Sequence, residues 1–315
     1  MEPVAREPVT EARNPRSMEL DTLSALEIVT LMNDEDARVA AAVRAQLPQV
    51  ARAVELMAGR LRAGARVFYV GAGTSGRIGA LDAAEWGPTF GVDEDLVQVI
   101  LAGGPAALLE PSEAAEDDEP GGAEAVRAKV RPGDVVVGLS ASGSTPFVLG
   151  ALREARRLGA ATVAVACNRP ADVEAYADVA ILPVVGPEVL TGSTRLKAGT
   201  AQKMVLNMLS TAAMVQLGKV YQNLMVDLRP ANRKLVERAV RAITQATGVG
   251  EAQAREAFAA CGGEVKTAIV MILAGVQPPE ARRRLARSGG FVRGALATGP
   301  QDRGPSPDAG GEGQG

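Results

Sequence analysis

Apolar positions along this chain follow two different rhythms. Some runs are short and nearly continuous: Val67-Phe68-Tyr69-Val70, Leu96 to Leu101, Asp134 to Ser140, Thr162 to Ala166 and Val179 to Leu182. They are rich in β-branched residues, as strands buried on both faces are. Between and around them the apolar residues recur at helical spacing. Strands alternating with helices predict an α/β fold with a doubly wound parallel sheet.

The helical stretches begin near Asp21. Leu23, Leu26, Ile28, Val29 and Met32 recur at helical spacing, Asp21 or Thr22 is the candidate cap, and Asn33 to Asp36 is the expected break. A second helix is predicted from Ala37 to Arg62, with Pro48 kinking or dividing it and Gly64 ending it. After the first strand, Ile78, Leu81 and Trp86 are spaced to face a core, with Asp82 and Glu85 on other sides, and Gly87-Pro88 is the expected stop. Pro105 to Ala115 reads as helix interrupted at Pro111, and a long helix is opened by Thr191 to Thr200 and runs to Gly218. From Val220 the character changes. Asn232 to Ala246, Glu251 to Ala260, Val265 to Leu273 and Pro279 to Arg287 read as short amphipathic helices joined by Gly-rich turns. Their layout resembles a small ubiquitin-associated-type fold, from which ubiquitin binding does not follow. The expected division is a flexible arm over 1–20, helices over 21–56, the sheet domain over 57–220, the helical subdomain over 221–298 and a disordered tail over 299–315.

Composition narrows the chemistry. The 315 residues carry a net charge of −3 and no histidine. That charge, with no run of Lys or Arg, argues against nucleic-acid binding. No apolar run is long enough to span a membrane, and the charged N-terminus is unlike a signal peptide, so a cytoplasmic location is expected. Without histidine, Ser-His-Asp and Cys-His catalysis are excluded and a zinc site is not expected. Acid–base work near neutral pH falls to Glu, Asp, Lys, Tyr or water. Cys167 and Cys261 are expected as buried free thiols.

The chain is centred on Arg66 to Glu85, a strand, the turn Gly71-Ala72-Gly73-Thr74-Ser75-Gly76, and a helix. Glycines let the backbone approach a ligand, and a helix N-terminus offers free N–H groups to an anion. The glycine spacing also fits a dinucleotide fingerprint, but the next strand ends in Ala102-Gly103-Gly104 without the acid a ribose needs. A second strand, hydroxyl-rich loop and helix follow at Ala141-Ser142-Gly143-Ser144-Thr145-Pro146. Turn capping accounts for any one of these hydroxyls alone, but two such loops in one sheet predict a phosphate-binding crevice at the strand ends. The candidate phosphate ligands are Ser75, Ser142, Gly143, Ser144 and Thr145. Arg195 and Lys197 read either as capping and surface charge or as a third, cationic wall.

These stretches together resemble one family. GAGTSGRIGALDAAEWGPTFG, LAGG followed by EAAEDD, VVVGLSASGSTPFV, TGSTRLKAGTAQKMVLNMLST and NLMVDLRPAN are similar to the N-acetylmuramic acid 6-phosphate etherases, over about Leu20 to Leu296. The resemblance implies a sugar-isomerase (SIS) domain with N-terminal helices and a small C-terminal helical subdomain. It also implies a carbon–oxygen lyase of cell-wall and amino-sugar recycling. Such an enzyme cleaves the D-lactyl ether of its sugar phosphate to N-acetylglucosamine 6-phosphate and D-lactate, with no metal or cofactor. Carried over by motif, Glu85 of the DAAE segment is the implied acid that protonates departing lactate. Glu116 of the AED segment is assigned the base at C2, with Glu113 as a competitor and the division of roles open. An exposed helix residue is the plain alternative for Glu85. Ala114 and Trp86-Gly87 depart from the family's usual Gly and Cys or Pro. SIS domains usually pair, and a homodimer built on the apolar N-terminal helices is expected. Two rivals share the fold: a sugar-phosphate-binding regulator like the glucokinase regulatory protein, and an aldose–ketose isomerase.

Overall fold

The computed structural model describes residues 8–110, 112–229 and 232–297. The chain divides into two compact units, the first ending at Gln216 and the second beginning at Leu217.

The first unit opens with helices α1 (Ala25–Asp36), α2 (Val39–Arg44) and α3 (Leu47–Arg62). Ser24 caps α1 in a reciprocal box with Glu27, and the helix runs through Asn33 to Asp36 where a break was expected. Pro48 sits in the first turn of α3, so it starts that helix and divides it from α2. Strand β1 (Val67–Gly71), helix α4 (Gly73–Phe90) and β2 (Val97–Leu101) follow. Then come α5 (Glu119–Lys129), β3 (Val135–Leu139), α6 (Pro146–Arg157), β4 (Ala161–Val165), β5 (Val179–Ile181) and α7 (Lys197–Gln216). Helix α4 passes through Gly87-Pro88 and ends at Gly91. The stretch from Pro105 holds 3-10 turns over Pro105–Leu108 and Glu113–Ala115 in place of a helix.

All strands of the sheet run parallel in the order β2-β1-β3-β4-β5. Phe68, Val70 and Val136 point to one face, where they pack with Val126 of α5 and Phe147, Val148 and Leu152 of α6. Tyr69 points to the other face, toward α4, where its hydroxyl donates to Asp82 at 2.8 Å. The strand order reverses between β1 and β3, so β1 feeds α4 and β3 feeds α6 on opposite faces, leaving a crevice at their C-terminal ends.

Asp82 corrects the expected helix face. It is buried, whereas Leu81 is 55% exposed. Its carboxylate accepts from Tyr69, from Trp86 Nε1 at 3.1 Å, and from Asn207 and Ser210 of α7. This buried acid with its donors ties β1, α4 and α7 together, and Trp86 packs at its side.

Residues 8–20 differ from the expected flexible arm. Thr10 and Asn14 are almost wholly buried. Asn14 donates to Glu35 and to the carbonyl of Pro187. Polar side chains in place of apolar ones hold this segment down, which hid it from a reading of hydrophobic rhythm. The expectation for the tail, 299–315, lies outside the described residues.

The second unit begins with the hairpin β6 (Val220–Tyr221) and β7 (Leu224–Met225). Helices α8 (Arg233–Thr247), α9 (Glu251–Ala260), α10 (Val265–Ala274), α11 (Pro278–Arg287) and α12 (Val292–Ala297) follow. They bury their own core of Val240, Ile243, Ile269, Val270 and Leu285.

Candidate active site

The C-terminal ends of β1 and β3 open into a cleft of about 380 Å³. Its walls are the first turn of α4, the loop after β3, the segment Ser112 to Glu116, and Glu11 and Thr194. The first N–H groups of α4 face this space. Gly76 N–H is the first to bond back, to Ala72, which leaves those of Gly73, Thr74 and Ser75 at the helix N-terminus for an anion.

The loop after β3 is organised by Ser140. Its hydroxyl lies 2.8 Å from that of Thr145 and accepts the Gly143 N–H at 2.9 Å. Gly143 has φ +79°, and a Cβ there would come within 2.5 Å of Ala171 Cβ, so only glycine fits the turn. The structure places Ser75, Ser142 and Thr145 on the cleft wall. Gly143 and Ser144 are not among the lining residues. Gly143 gives its N–H to Ser140, and the Ser144 hydroxyl donates to Ser142 at 3.1 Å. Both shape the loop and orient Ser142.

Glu116 is brought to the same cleft by its backbone. Its carbonyl accepts the Phe147 N–H from the first turn of α6 at 3.0 Å. Its carboxylate reaches the start of α4, where a Cβ on Gly73 would lie 2.6 Å from Oε1. Gly73 has φ +50°, a conformation and a closeness that a side chain would not allow. Burial raises the Glu116 carboxyl above its ordinary value; Asp117 and Glu113 add to the rise and Arg77 opposes it. Glu113 also lines the cleft, exposed and one turn away.

Glu85 is elsewhere. It is exposed, and it stands twelve residues beyond Gly73 on α4, about 18 Å along the helix axis at 1.5 Å per residue. Within one chain the two candidate catalytic carboxylates therefore do not meet. Glu85 lies one turn from the exposed Leu81, and on α7 Met204, Met208, Thr211, Ala212 and Val215 form an open apolar surface. Val215 is 43% exposed, and Leu26 and Val29 of α1 are also exposed.

Lys197 is not a wall of the anion site. It is 1% exposed, and its ammonium bonds Glu35 Oε2 at 2.5 Å. Arg195 is exposed and is not among the residues lining the cleft. The start of α7 is capped by the buried Glu188, which accepts the N–H groups of Lys197 and Ala198 at 3.0 Å. The cation that does line the cleft is Arg77. Its guanidinium donates to the carbonyls of Ala107, Leu108 and Glu110, pinning that loop at the rim. Its place directly after the Gly-rich turn was the available signal in the sequence. Cys167 and Cys261 are free and buried, and burial first, with Glu188, pushes the Cys167 thiol up to about 12, so it carries no thiolate near neutral pH.

Two family models agree with this architecture. The family model described as "Glucokinase regulatory protein N-terminal SIS domain" matches residues 49–156, and the SIS domain model matches 115–212. An N-acetylmuramic acid 6-phosphate etherase of Symbiobacterium thermophilum is 60% identical over 268 residues, 85% of this chain and 89% of that protein. One of Serratia proteamaculans is 55% identical over 289 residues, 91% of this chain and 97% of that protein. Among solved structures, a phosphoheptose isomerase from Francisella tularensis aligns with a TM-score of 0.49 at 17% identity, covering 61% of this chain and 98% of that one.

Proposed function

The chain belongs to the N-acetylmuramic acid 6-phosphate etherase family, and we propose that the cleft over β1 and β3 is where it carries out that family's reaction. The chain is a carbon–oxygen lyase. It splits the D-lactyl ether of N-acetylmuramic acid 6-phosphate into N-acetylglucosamine 6-phosphate and D-lactate by elimination and re-addition of water. The observation that carries the proposed site is the half-buried Glu116 carboxylate standing beside an anion-binding helix start and a hydroxyl-lined loop.

In the proposed complex the 6-phosphate takes the N–H groups at the start of α4 and the hydroxyls of Ser75, Ser142 and Thr145. The open-chain C1 aldehyde acidifies the C2 proton. Glu116 takes that proton, the C2–C3 double bond forms, and the C3–O bond breaks. Glu85 gives its proton to the departing lactate oxygen. Water then adds its oxygen at C3, and a proton returns to C2. A raised pKa suits Glu116 to this work, because a base whose pKa lies nearer the working pH has more driving force.

The distance between Glu85 and Glu116 along one chain supports a homodimer in which α4 of each copy supplies Glu85 to the other's cleft. The open apolar surface of α7 and the exposed Leu81 of α4 support the same reading. The proposal also places the enzyme in the cytoplasm, since a membrane retains a phosphorylated sugar.

The first test is lactate release from N-acetylmuramic acid 6-phosphate in deuterium oxide. Lactate together with a product bearing deuterium at C2 is the expected result. Binding of the sugar phosphate without lactate would instead favour a regulator, the reading to which the match at residues 49–156 points. A second prediction concerns pH. Protonation of Glu116 removes the base, so kcat/KM falls as pH drops through its raised pKa. Asp117 is one cause of that rise, so Asp117→Asn moves this acid limb to lower pH. An acid limb that stays in place would remove Glu116 from the role of base.

A further inference from the structure

The cleft contains a carboxylate that the reaction as described leaves without a task. Glu11 lines it from the packed N-terminal segment. That segment is fixed where it meets the site. Thr10 N–H donates to Asn168 Oδ1 at 3.2 Å, and Asn168 Nδ2 donates both to the Thr10 hydroxyl at 2.8 Å and to the carbonyl of Ser142 at 2.9 Å. One buried Asn thus ties the residue before Glu11 to the phosphate loop. On the other side, a Cβ on Gly192 would lie 3.3 Å from Glu11 Oε2. The carboxylate is exposed, and among the described residues no side chain or backbone donor meets it.

A second negative group beside a phosphate dianion costs binding unless it faces donors. The donors nearest the phosphate of an open-chain hexose 6-phosphate are the C5 hydroxyl, freed on ring opening, and the C4 hydroxyl. We propose that Glu11 is a substrate-positioning residue that accepts hydrogen bonds from these hydroxyls. It thereby favours the open-chain form, in which C2 is acidic. It is a binding group, distinct from Glu116 and Glu85, and the inference rests on the cleft being the sugar-phosphate site.

The test measures ligand binding and turnover separately. Glu11→Ala and wild type are titrated calorimetrically with sorbitol 6-phosphate, an open-chain hexitol phosphate, and with inorganic phosphate. The expected result is binding of sorbitol 6-phosphate weakened about tenfold or more, as for a lost hydrogen bond to a charged group. Inorganic phosphate should bind as well as before or more tightly. KM for N-acetylmuramic acid 6-phosphate should rise in step with the hexitol phosphate. Equal weakening of both ligands would mean that the segment only supports the loop, and unchanged binding of both would remove Glu11 from the site; either overturns the proposal. A wild-type chain that binds both ligands but releases no lactate would defeat the catalytic reading and still leave the role of Glu11 to be read from the titrations.

Discussion

Glu116→Gln and Glu85→Gln each lower lactate release by roughly 10²–10⁴-fold, the range for loss of a positioned acid or base. An equal mixture of the two variants, allowed to exchange subunits, recovers about one quarter of wild-type activity if the enzyme is a dimer with shared sites. The arithmetic follows from the geometry. Glu116 is held at the start of α4 by the Phe147 N–H, while Glu85 is exposed on the far half of the same helix. In a mixed dimer one site receives both intact carboxylates and the other receives neither. About half the dimers are mixed, and half their sites are whole. Recovery of activity places the acid and the base on different chains. A mixture as inactive as its components would rule out that arrangement and require Glu113 or another group of the same cleft in place of Glu85.

The second large effect is on stability. Glu35→Gln lowers the unfolding free energy at neutral pH by about 3–5 kcal/mol, as breaking one side of a buried ion pair does. Glu35 is 1% exposed and accepts from Lys197, from Arg16 at 2.7 Å and from Asn14 at 3.1 Å. Removing its charge leaves the Lys197 ammonium buried without its counter-ion. Burial by itself would raise the Glu35 carboxyl, but the bonds from Lys197, Arg16 and Asn14 outweigh it and bring the pKa down from 4.5 to about 2. The sign follows. A lowered folded-state pKa contributes stability above the unfolded value of 4.5, and that contribution is lost as pH falls toward 2. Denaturant titrations of wild type should therefore lose stability across that window, and those of Glu35→Gln should lose less. A variant as stable as wild type at pH 7 would show that the cluster is neutral. Replacing both members, Glu35→Leu with Lys197→Met, should restore part of the loss.

Much of this protein was readable from its order of residues. The strand runs are continuous because both faces of a parallel sheet are buried, so β1 to β5 stand out within a residue or two. The two Gly and hydroxyl loops show themselves because their backbone conformations need glycine and their ends need hydroxyls. The absence of histidine pointed to carboxylate chemistry, and the family was legible in its motifs. These are local properties, fixed by neighbours along the chain.

The rest depended on which distant parts meet. Lys197 reads as a phosphate-seeking cation until Glu35, far away in sequence, takes its charge into the interior. Asp82 reads as a surface acid until Tyr69, Trp86, Asn207 and Ser210 surround it with donors. The segment around Thr10 reads as loose because its anchors are polar, and hydrogen bonds between distant residues leave no periodic trace. Glu85 and Glu116 read as a pair because motifs carry no distances; folding sets Glu116 beside Gly73 at the start of α4 and Glu85 about 18 Å further along that helix. Sequence by itself determined the elements, the chemistry available and the family. Only the tertiary structure decided which charges are spent on stability, which remain free in the cleft, and that one chain alone does not bring both carboxylates to one site, because burial and distance are properties of the packed whole.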